Sequence, residues 1–328
     1  MTDRPTLISA AELHELLSGD SPPLLFEVGV EPPVEDIQVI PHSHFVDVDR
    51  LEFWPSNGDS GDLPVGSGNI LPPDQFRLAL EGLGISRQSR IVLYYRTHAG
   101  MRNQPIACAR FCWMLCVAGV QSVSVLNGGL PAWTLLGYAT ADCHVPLSPV
   151  SDFFDQQVFP FPLNSHLIAT TAEVEQAVVA HKLQIAGVGK VIIGDVRSWE
   201  EFVGERQQYT YISRLGRIPS SVWARWGPST YVGGDLWTDQ GYLRDSEEVT
   251  KMWGAEGLTQ PALPGDGVIF YCGSGWRSAW AWMVASLMGW DNVKNYDGGW
   301  LEWSLLGKQA VAGPPDAELA GSDISARA

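Results

Sequence analysis

The chain is short of charge, and what charge it has is mostly of one sign. Of its 328 residues 18% are charged, with 21 Lys and Arg against 37 Asp and Glu, a formal net charge of −16 at pH 7. That excess of negative charge repels nucleic acid and acidic membrane surfaces, so neither is expected as a partner. It also disfavours small anions unless a local positive site attracts them. No apolar run approaches the length of a bilayer span, so no membrane segment is expected. Residues 1–17 alternate polar and apolar side chains and lack the basic-then-apolar order of a secretory signal. A cytoplasmic location is therefore expected. There are only five cysteines, Cys108, Cys112, Cys116, Cys143 and Cys272. An odd set without disulfide-like patterning argues against a disulfide scaffold. No Cys-x2-Cys pair or Cys/His pattern indicates zinc, and neither a metal nor a cofactor is expected.

Against these absences one stretch stands out: Val268-Ile-Phe-Tyr-Cys272-Gly273-Ser274-Gly275-Trp276-Arg277-Ser278. A short apolar run, read as a strand, ends in a cysteine. Two glycines follow within three residues, and then comes a helix-like stretch from Ala279 to Met288. Glycines let such a loop curl so that successive N–H groups point at one anion-sized position. The helix that follows adds the positive end of its dipole. A cysteine in this nest is expected to react as a thiolate, because the anion gains hydrogen bonds that the thiol does not. The loop amides, the helix terminus and Arg277 together supply the local positive site that an acidic chain needs for an anionic substrate.

The sequence repeats itself. Ser122-Val-Ser-Val-Leu-Asn-Gly-Gly-Leu-Pro-Ala-Trp133 matches Asn292-Val-Lys-Asn-Tyr-Asp-Gly-Gly-Trp-Leu-Glu-Trp303 at an offset of 170 residues. Leu24–Gly29 pairs with Val191–Arg197, and Ile40-Pro-His-Ser43 with Ile218-Pro-Ser-Ser221. Three matches in one order mark a duplicated domain. In each copy apolar, β-branched runs alternate with helical periodicity. The expected fold is α/β, each copy a mostly parallel sheet flanked by helices. The expected boundaries are 5–140 for the first domain, 141–167 for a Pro-containing linker, 168–310 for the second domain and 311–328 for a flexible tail. Only the second copy holds a nucleophile. Tyr94-Tyr95 aligns with Tyr271-Cys272, and Glu27-Val28-Gly29 with Asp195-Val196-Arg197. The first-copy loop is also seven residues longer, with 33 positions from Tyr95 to Gly128 against 26 from Cys272 to Gly298.

Asp195-Val-Arg197, Gly216-Arg-Ile-Pro219, Cys272-Gly-Ser-Gly-Trp-Arg277 and Asp297-Gly-Gly-Trp-Leu-Glu-Trp303 together resemble the tandem-domain rhodaneses. These are the thiosulfate and 3-mercaptopyruvate sulfurtransferases, and the resemblance is strongest to bacterial members with a Cys-Gly-Thr-Gly-Trp-Arg loop. It spans roughly residues 5–308. Leu126-Asn-Gly-Gly-Leu-Pro-Ala-Trp133 is similar to the family's inactive N-terminal domain. The resemblance implies two tandem rhodanese-like domains and a sulfurtransferase that carries sulfur as a persulfide on Cys272. It implies a small anionic sulfur donor and a thiol or cyanide acceptor, with a protein sulfur acceptor as an alternative. Gly273, Ser274, Gly275, Trp276 and Arg277 are the expected loop and substrate-binding residues. Arg277 either holds a carboxylate or sulfonate or braces the loop. Asp195 and Arg197 are expected to support the site, and Asp49 fits an acidic residue that mercaptopyruvate enzymes place near the position of Ser274.

The choice of donor stays open. Gly273 and Ser274 are neutral, as in mercaptopyruvate-type loops, but Gly275-Trp276-Arg277 departs from their Gly-Val-Thr. Glu201 and Val203 occupy the region where the family carries substrate arginines, and Asn69 falls where a histidine is expected. Phosphatase chemistry is the remaining rival. Related folds wrap phosphate in a Cys-x5-Arg loop, whereas the spacing from Cys272 to Arg277 is Cys-x4-Arg, a tighter ring that by resemblance goes with sulfur transfer.

Overall fold

The computed structural model describes residues 4–30, 38–55, 63–96, 105–145, 163–183, 189–227, 235–238 and 240–315. The linker prolines Pro146, Pro149, Pro160 and Pro162, the extra first-copy loop at 97–104 and the tail from 316 lie outside them. The chain forms two compact units. Unit 1 comprises Met1–Glu52, Ile70–Ser165 and Thr238–Leu243; unit 2 comprises Phe53–Asn69, His166–Trp237 and Arg244–Ala328. Each unit thus takes in a short piece of chain from outside its own continuous stretch, which no sequence pattern announces. Among the described residues no helix is long and apolar enough to cross a membrane, and no group of acidic, His or Cys side chains is placed to hold a metal ion.

Unit 1 contains β1 (Thr6–Ile8), α1 (Ala10–Leu17), β2 (Leu24–Gly29), β3 (His44–Asp47), α2 (Pro73–Gly82), β4 (Arg90–Tyr94), α3 (Pro105–Val117), β5 (Ser122–Leu126) and α4 (Gly129–Leu135). Its parallel sheet has the order β1-β5-β4-β2-β3. Unit 2 repeats the plan with β6 (Ile168–Ala169), α5 (Thr171–Leu183), β7 (Val191–Asp195), α6 (Trp199–Phe202), β8 (Val222–Trp223), α7 (Ser246–Ala255), β9 (Gly267–Tyr271), α8 (Trp276–Leu287), β10 (Val293–Tyr296) and α9 (Gly299–Leu305). Its order, β6-β10-β9-β7-β8, is the same. The central strands are buried along nearly their whole length, as a sheet covered on both faces requires. The elements not expected from sequence, β1, β3, β6, β8 and α6, are edge strands and a single helical turn, each of two to four residues. These are too short to show a period.

Helix α3 carries Cys108, Cys112 and Cys116 on one face, yet the whole helix is buried. The three thiols therefore pack as small apolar groups. Burial pushes the Cys108 thiol far up, and burial together with Cys116 does the same for Cys112.

The duplication is visible in bonds as well as topology. In unit 1 the Tyr94 hydroxyl meets Glu27, Ser43 and the Ile40 N–H. In unit 2 the Tyr271 hydroxyl meets Asp195, Ser221 and the Ile218 N–H. Burial and the adjacent carboxylate raise both phenols well above their ordinary range, so each stays a proton donor. The cation differs. Arg197 follows two residues after Asp195, whereas Gly29 stands there in unit 1 and Arg96 and His144 reach Glu27 instead.

A second shared device lies at the start of the last helix. Gly129 and Gly299 both have left-handed backbones, at φ 57° and 54°. A Cβ on Gly129 would fall 2.5 Å from the Tyr95 carbonyl oxygen, and one on Gly299 would fall 2.7 Å from those of Cys272 and Gly273. The close approach lets the next amide bond that carbonyl: Leu130 N–H to Tyr95 at 2.9 Å, Trp300 N–H to Cys272 at 2.7 Å. Alanine at either glycine is expected to destabilise its unit by at least about 1–2 kcal/mol from backbone conformation alone. A fall in the urea midpoint checks this.

Candidate active site

The site of interest is built within unit 2, where β9 ends at Tyr271 and Cys272 follows it at the carboxyl edge of the sheet. Such edges are where open α/β sheets place their sites. Gly275 sits at φ 81° and turns the chain directly into α8. The helix consequently begins at Trp276, three residues earlier than its apolar pattern suggests, because no polar cap marks the start. The loop proper is Cys272 to Gly275, and Trp276 and Arg277 are first-turn helix residues.

What shapes the loop is the use of its carbonyls. Cys272 C=O accepts from Trp300 N–H at 2.7 Å and Gly273 C=O from Leu301 N–H at 2.9 Å, both at the start of α9. Gly275 C=O accepts from Ala279 N–H and from the buried Asn295 amide at 3.1 Å. Three of the loop's carbonyls are thus held by fixed donors, and its Gly273 N–H donates to the Tyr209 hydroxyl at 3.1 Å. Cys272 is fully buried, and the Ser278 hydroxyl is 3.5 Å from its sulfur, donating toward it.

Arg277 lies at the centre of this arrangement and is only 2% exposed. Its Nη1 donates to Glu201 Oε2 at 3.0 Å and its Nη2 to Glu201 Oε1 at 3.3 Å. Its Nε and Nη2 also reach the Tyr209 hydroxyl. Burial opposes its charge, but Tyr209, Glu201 and Cys272 outweigh burial and hold its pKa above the usual range. Burial likewise opposes the Glu201 carboxylate, and Arg277 more than offsets it, so Glu201 titrates below the ordinary carboxylate range. Of the two roles expected for Arg277, this geometry supplies the brace. Glu201 is placed by a capping box with Ser198 at the start of α6: the Glu201 N–H donates to Ser198 Oγ, and the Ser198 N–H to Glu201 Oε2.

Asp195 and Arg197 sit behind the loop. Arg197 Nε and Nη2 bond the Asp195 carboxylate at 2.9 and 2.6 Å, and Nη2 also donates to Gly216 C=O. The guanidinium lies 4.9 Å from the Trp300 ring, so the pair supports the residue that anchors Cys272. On another side the Ser274 hydroxyl is 3.1 Å from that of Tyr211, and Trp54 meets Tyr211 edge-on. A Cβ on Gly68 would come within 3.2 Å of Ser274. Asn69 donates to Glu302. Asp49 lies in the short 3-10 helix Val48–Leu51 of unit 1 and is not among the residues gathered in unit 2. Among the arginines that follow Glu201, Arg217 is buried against Gly313 C=O, and Arg225 pairs with Asp235. Arg214 rests over Trp300, where partial burial lowers its pKa.

Tyr209 and the partnership of Glu201 with Arg277 are the parts that sequence did not disclose. A buried loop arginine calls for a carboxylate, and the Ser198-x-x-Glu201 box is a readable pattern that marks where one is held. Tyr209 lies in Gln207-Gln-Tyr-Thr-Tyr211, a stretch without periodicity.

The family model for the rhodanese-like domain matches residues 179–306. A putative thiosulfate sulfurtransferase of Haloferax volcanii is 30% identical over 244 residues, covering 73% of this chain and 74% of that protein. The chain belongs to the tandem rhodanese sulfurtransferase family. Another relative, the Escherichia coli thiosulfate sulfurtransferase YnjE, is 30% identical over 84% of this chain, but the chain spans only 56% of YnjE's length. Among solved structures, wild-type EanB superposes with a TM-score of 0.78 at 28% identity, over 95% of this chain and 70% of EanB. Other structures of EanB hold hercynine or ergothioneine, one of them with a cysteine persulfide.

Removing one partner of a buried ion pair strands the other charge, at a cost of about 3–5 kcal/mol. Arg277→Ala should therefore lower unit 2 stability by about that amount. The double variant Arg277→Ala/Glu201→Ala should lose clearly less than the sum of the two single changes in urea unfolding.

Proposed function

We propose that the chain is a sulfurtransferase in which Cys272 carries the transferred sulfur as a persulfide. The observation that carries this reading is the cysteine itself. It follows β9 in a four-residue loop, three of whose carbonyls are held by fixed donors, with the Ser278 hydroxyl directed at its sulfur. In the first step the Cys272 thiolate attacks the outer sulfur of the donor. A new Sγ–S bond forms while the donor's own bond to that sulfur breaks, and the electron pair leaves with the remnant. Thiosulfate yields sulfite. 3-Mercaptopyruvate yields the enolate of pyruvate, which takes up the thiol proton. A nucleophilic acceptor then attacks the outer persulfide sulfur and releases the Cys272 thiolate; cyanide becomes thiocyanate. The Ser278 hydroxyl, directed at the sulfur, stabilises it as an anion in both steps. Unit 1, with Tyr95 at the corresponding position, takes no part in this chemistry.

Thiosulfate is the donor named for several relatives, and 3-mercaptopyruvate fits the neutral Gly273-Ser274 pair. A second reading is a sulfur carrier that serves a protein acceptor. It draws on a 26% identical relative, the sulfur carrier protein TtuD of Thermus thermophilus, 88% of which the match covers. Steady-state turnover with small acceptors separates the two, and hercynine belongs on the acceptor panel because EanB binds it.

Cys272→Ser should reduce cyanide-dependent thiocyanate formation to background and abolish the mass gain of one sulfur atom after treatment with donor. Full activity in the variant would refute the proposal. Ser278→Ala removes one hydrogen bond to an anionic sulfur, about 1.4 kcal/mol, and should slow persulfide formation roughly tenfold in single-turnover measurements.

A further inference from the structure

Three N–H donors converge on one oxygen beside Cys272: Gly273 N–H at 3.1 Å, and Arg277 Nε and Nη2. That oxygen is the Tyr209 hydroxyl. A phenol oxygen has two lone pairs and cannot satisfy three donors, whereas an oxyanion can. The convergence has the geometry of an anion position, and in this chain a neutral hydroxyl occupies it. The ring above it is pressed against the loop so closely that a Cβ on Gly273 would lie 2.1 Å from Tyr209. The remaining edge of the Arg277 guanidinium is closed by the two Glu201 oxygens. The cation of the loop is thus balanced by a carboxylate, and its oxygen-binding face is covered by a side chain of the same unit.

We infer that Glu201 and Tyr209 are specificity-determining residues that set the Cys272 loop to favour singly charged sulfane donors over doubly charged ones. This rests on the sulfurtransferase reading and adds to it the charge class of the donor. A dianion such as thiosulfate finds the Arg277 charge already paired with Glu201 and must compete with Tyr209 for the converging donors. A donor with one charge depends less on both. Neither residue bonds to the transferred sulfur, so both act on donor selection and leave the bond-making atoms to Cys272.

The test compares thiosulfate with methanethiosulfonate, which carries the same transferable sulfur on a sulfonyl group and one charge fewer. The wild-type protein should show the higher kcat/KM with methanethiosulfonate. Glu201→Gln keeps an acceptor for the Ser198 N–H and for Arg277 but removes the charge. It should raise kcat/KM for thiosulfate about tenfold more than for methanethiosulfonate, mainly through KM. Tyr209→Phe removes the oxygen that the three donors share without altering any charge and should move the ratio in the same direction. A general change in Cys272 reactivity affects both donors alike and cancels in the ratio. If the ratio stays within about twofold of wild type in the folded variants while Cys272 still gains sulfur, the inference fails and the sulfurtransferase reading stands. If wild-type Cys272 gains sulfur from neither donor nor from 3-mercaptopyruvate, that reading falls and this one with it.

Discussion

The contact on which the site depends is the approach of the α9 N-terminus to the backbone of the Cys272 loop. A peptide loop this short has carbonyl and amide groups in equal number, and an anionic sulfur tolerates only the amides. The Cys272 and Gly273 carbonyls are bound by the amides of Trp300 and Leu301, and the Gly275 carbonyl by Asn295 and Ala279, so three of the loop's acceptors are committed to fixed donors. The approach requires a residue without Cβ at 299. It also requires Trp300 to be held firmly, which the stacked Arg197, itself fixed by Asp195, supplies. The motif residues that look scattered in sequence are therefore one mechanical unit that fixes the path of the loop backbone.

The same approach exists in unit 1, where Gly129 lets Leu130 bond the Tyr95 carbonyl. There it encloses no nucleophile. The Tyr95 hydroxyl accepts from Gly128 N–H and donates to Gly241 C=O, and burial raises its pKa above the ordinary range. One copy has kept the scaffold and filled the position with a phenol that stays protonated. Retention of the Tyr94–Glu27–Ser43 cluster alongside this loss shows that the cluster serves the sheet, since it persists where there is no sulfur to position.

Sequence carried the fold a long way because its signals were strong. Seven elements in each copy were long enough to show a period, and the duplication, marked by three matched segments, allowed one copy to be checked against the other. The Cys272 loop was legible for the same reason: glycines, a cysteine and an arginine at fixed spacing restrict the backbone to few shapes. What stayed hidden was tertiary. The edge strands β3 and β8 are defined by pairing rather than by pattern. The placing of Trp54 and Gly68 beside Tyr211 and Ser274 joins residues more than a hundred positions apart. Whether Arg277 faced a substrate or the protein depended on Glu201 and Tyr209, and nothing local to Arg277 reveals either.

That dependence bears on how an active loop can change its preference without changing its motif. Arg277 alone reads as an anion receptor. With Glu201 against one edge and the Tyr209 hydroxyl on the other, it becomes a charge-neutral brace whose hydrogen bonds are directed inward. The buried pair contributes little net attraction once desolvation of both ions is counted, but it fixes where the guanidinium points. On the sulfurtransferase reading proposed above, Gly299 and Asn295 hold the loop backbone, whereas Glu201 and Tyr209 hold the loop arginine. Tyr209 belongs to both, since its hydroxyl also accepts from Gly273 N–H, so the proposed tuning of donor preference acts at the loop itself.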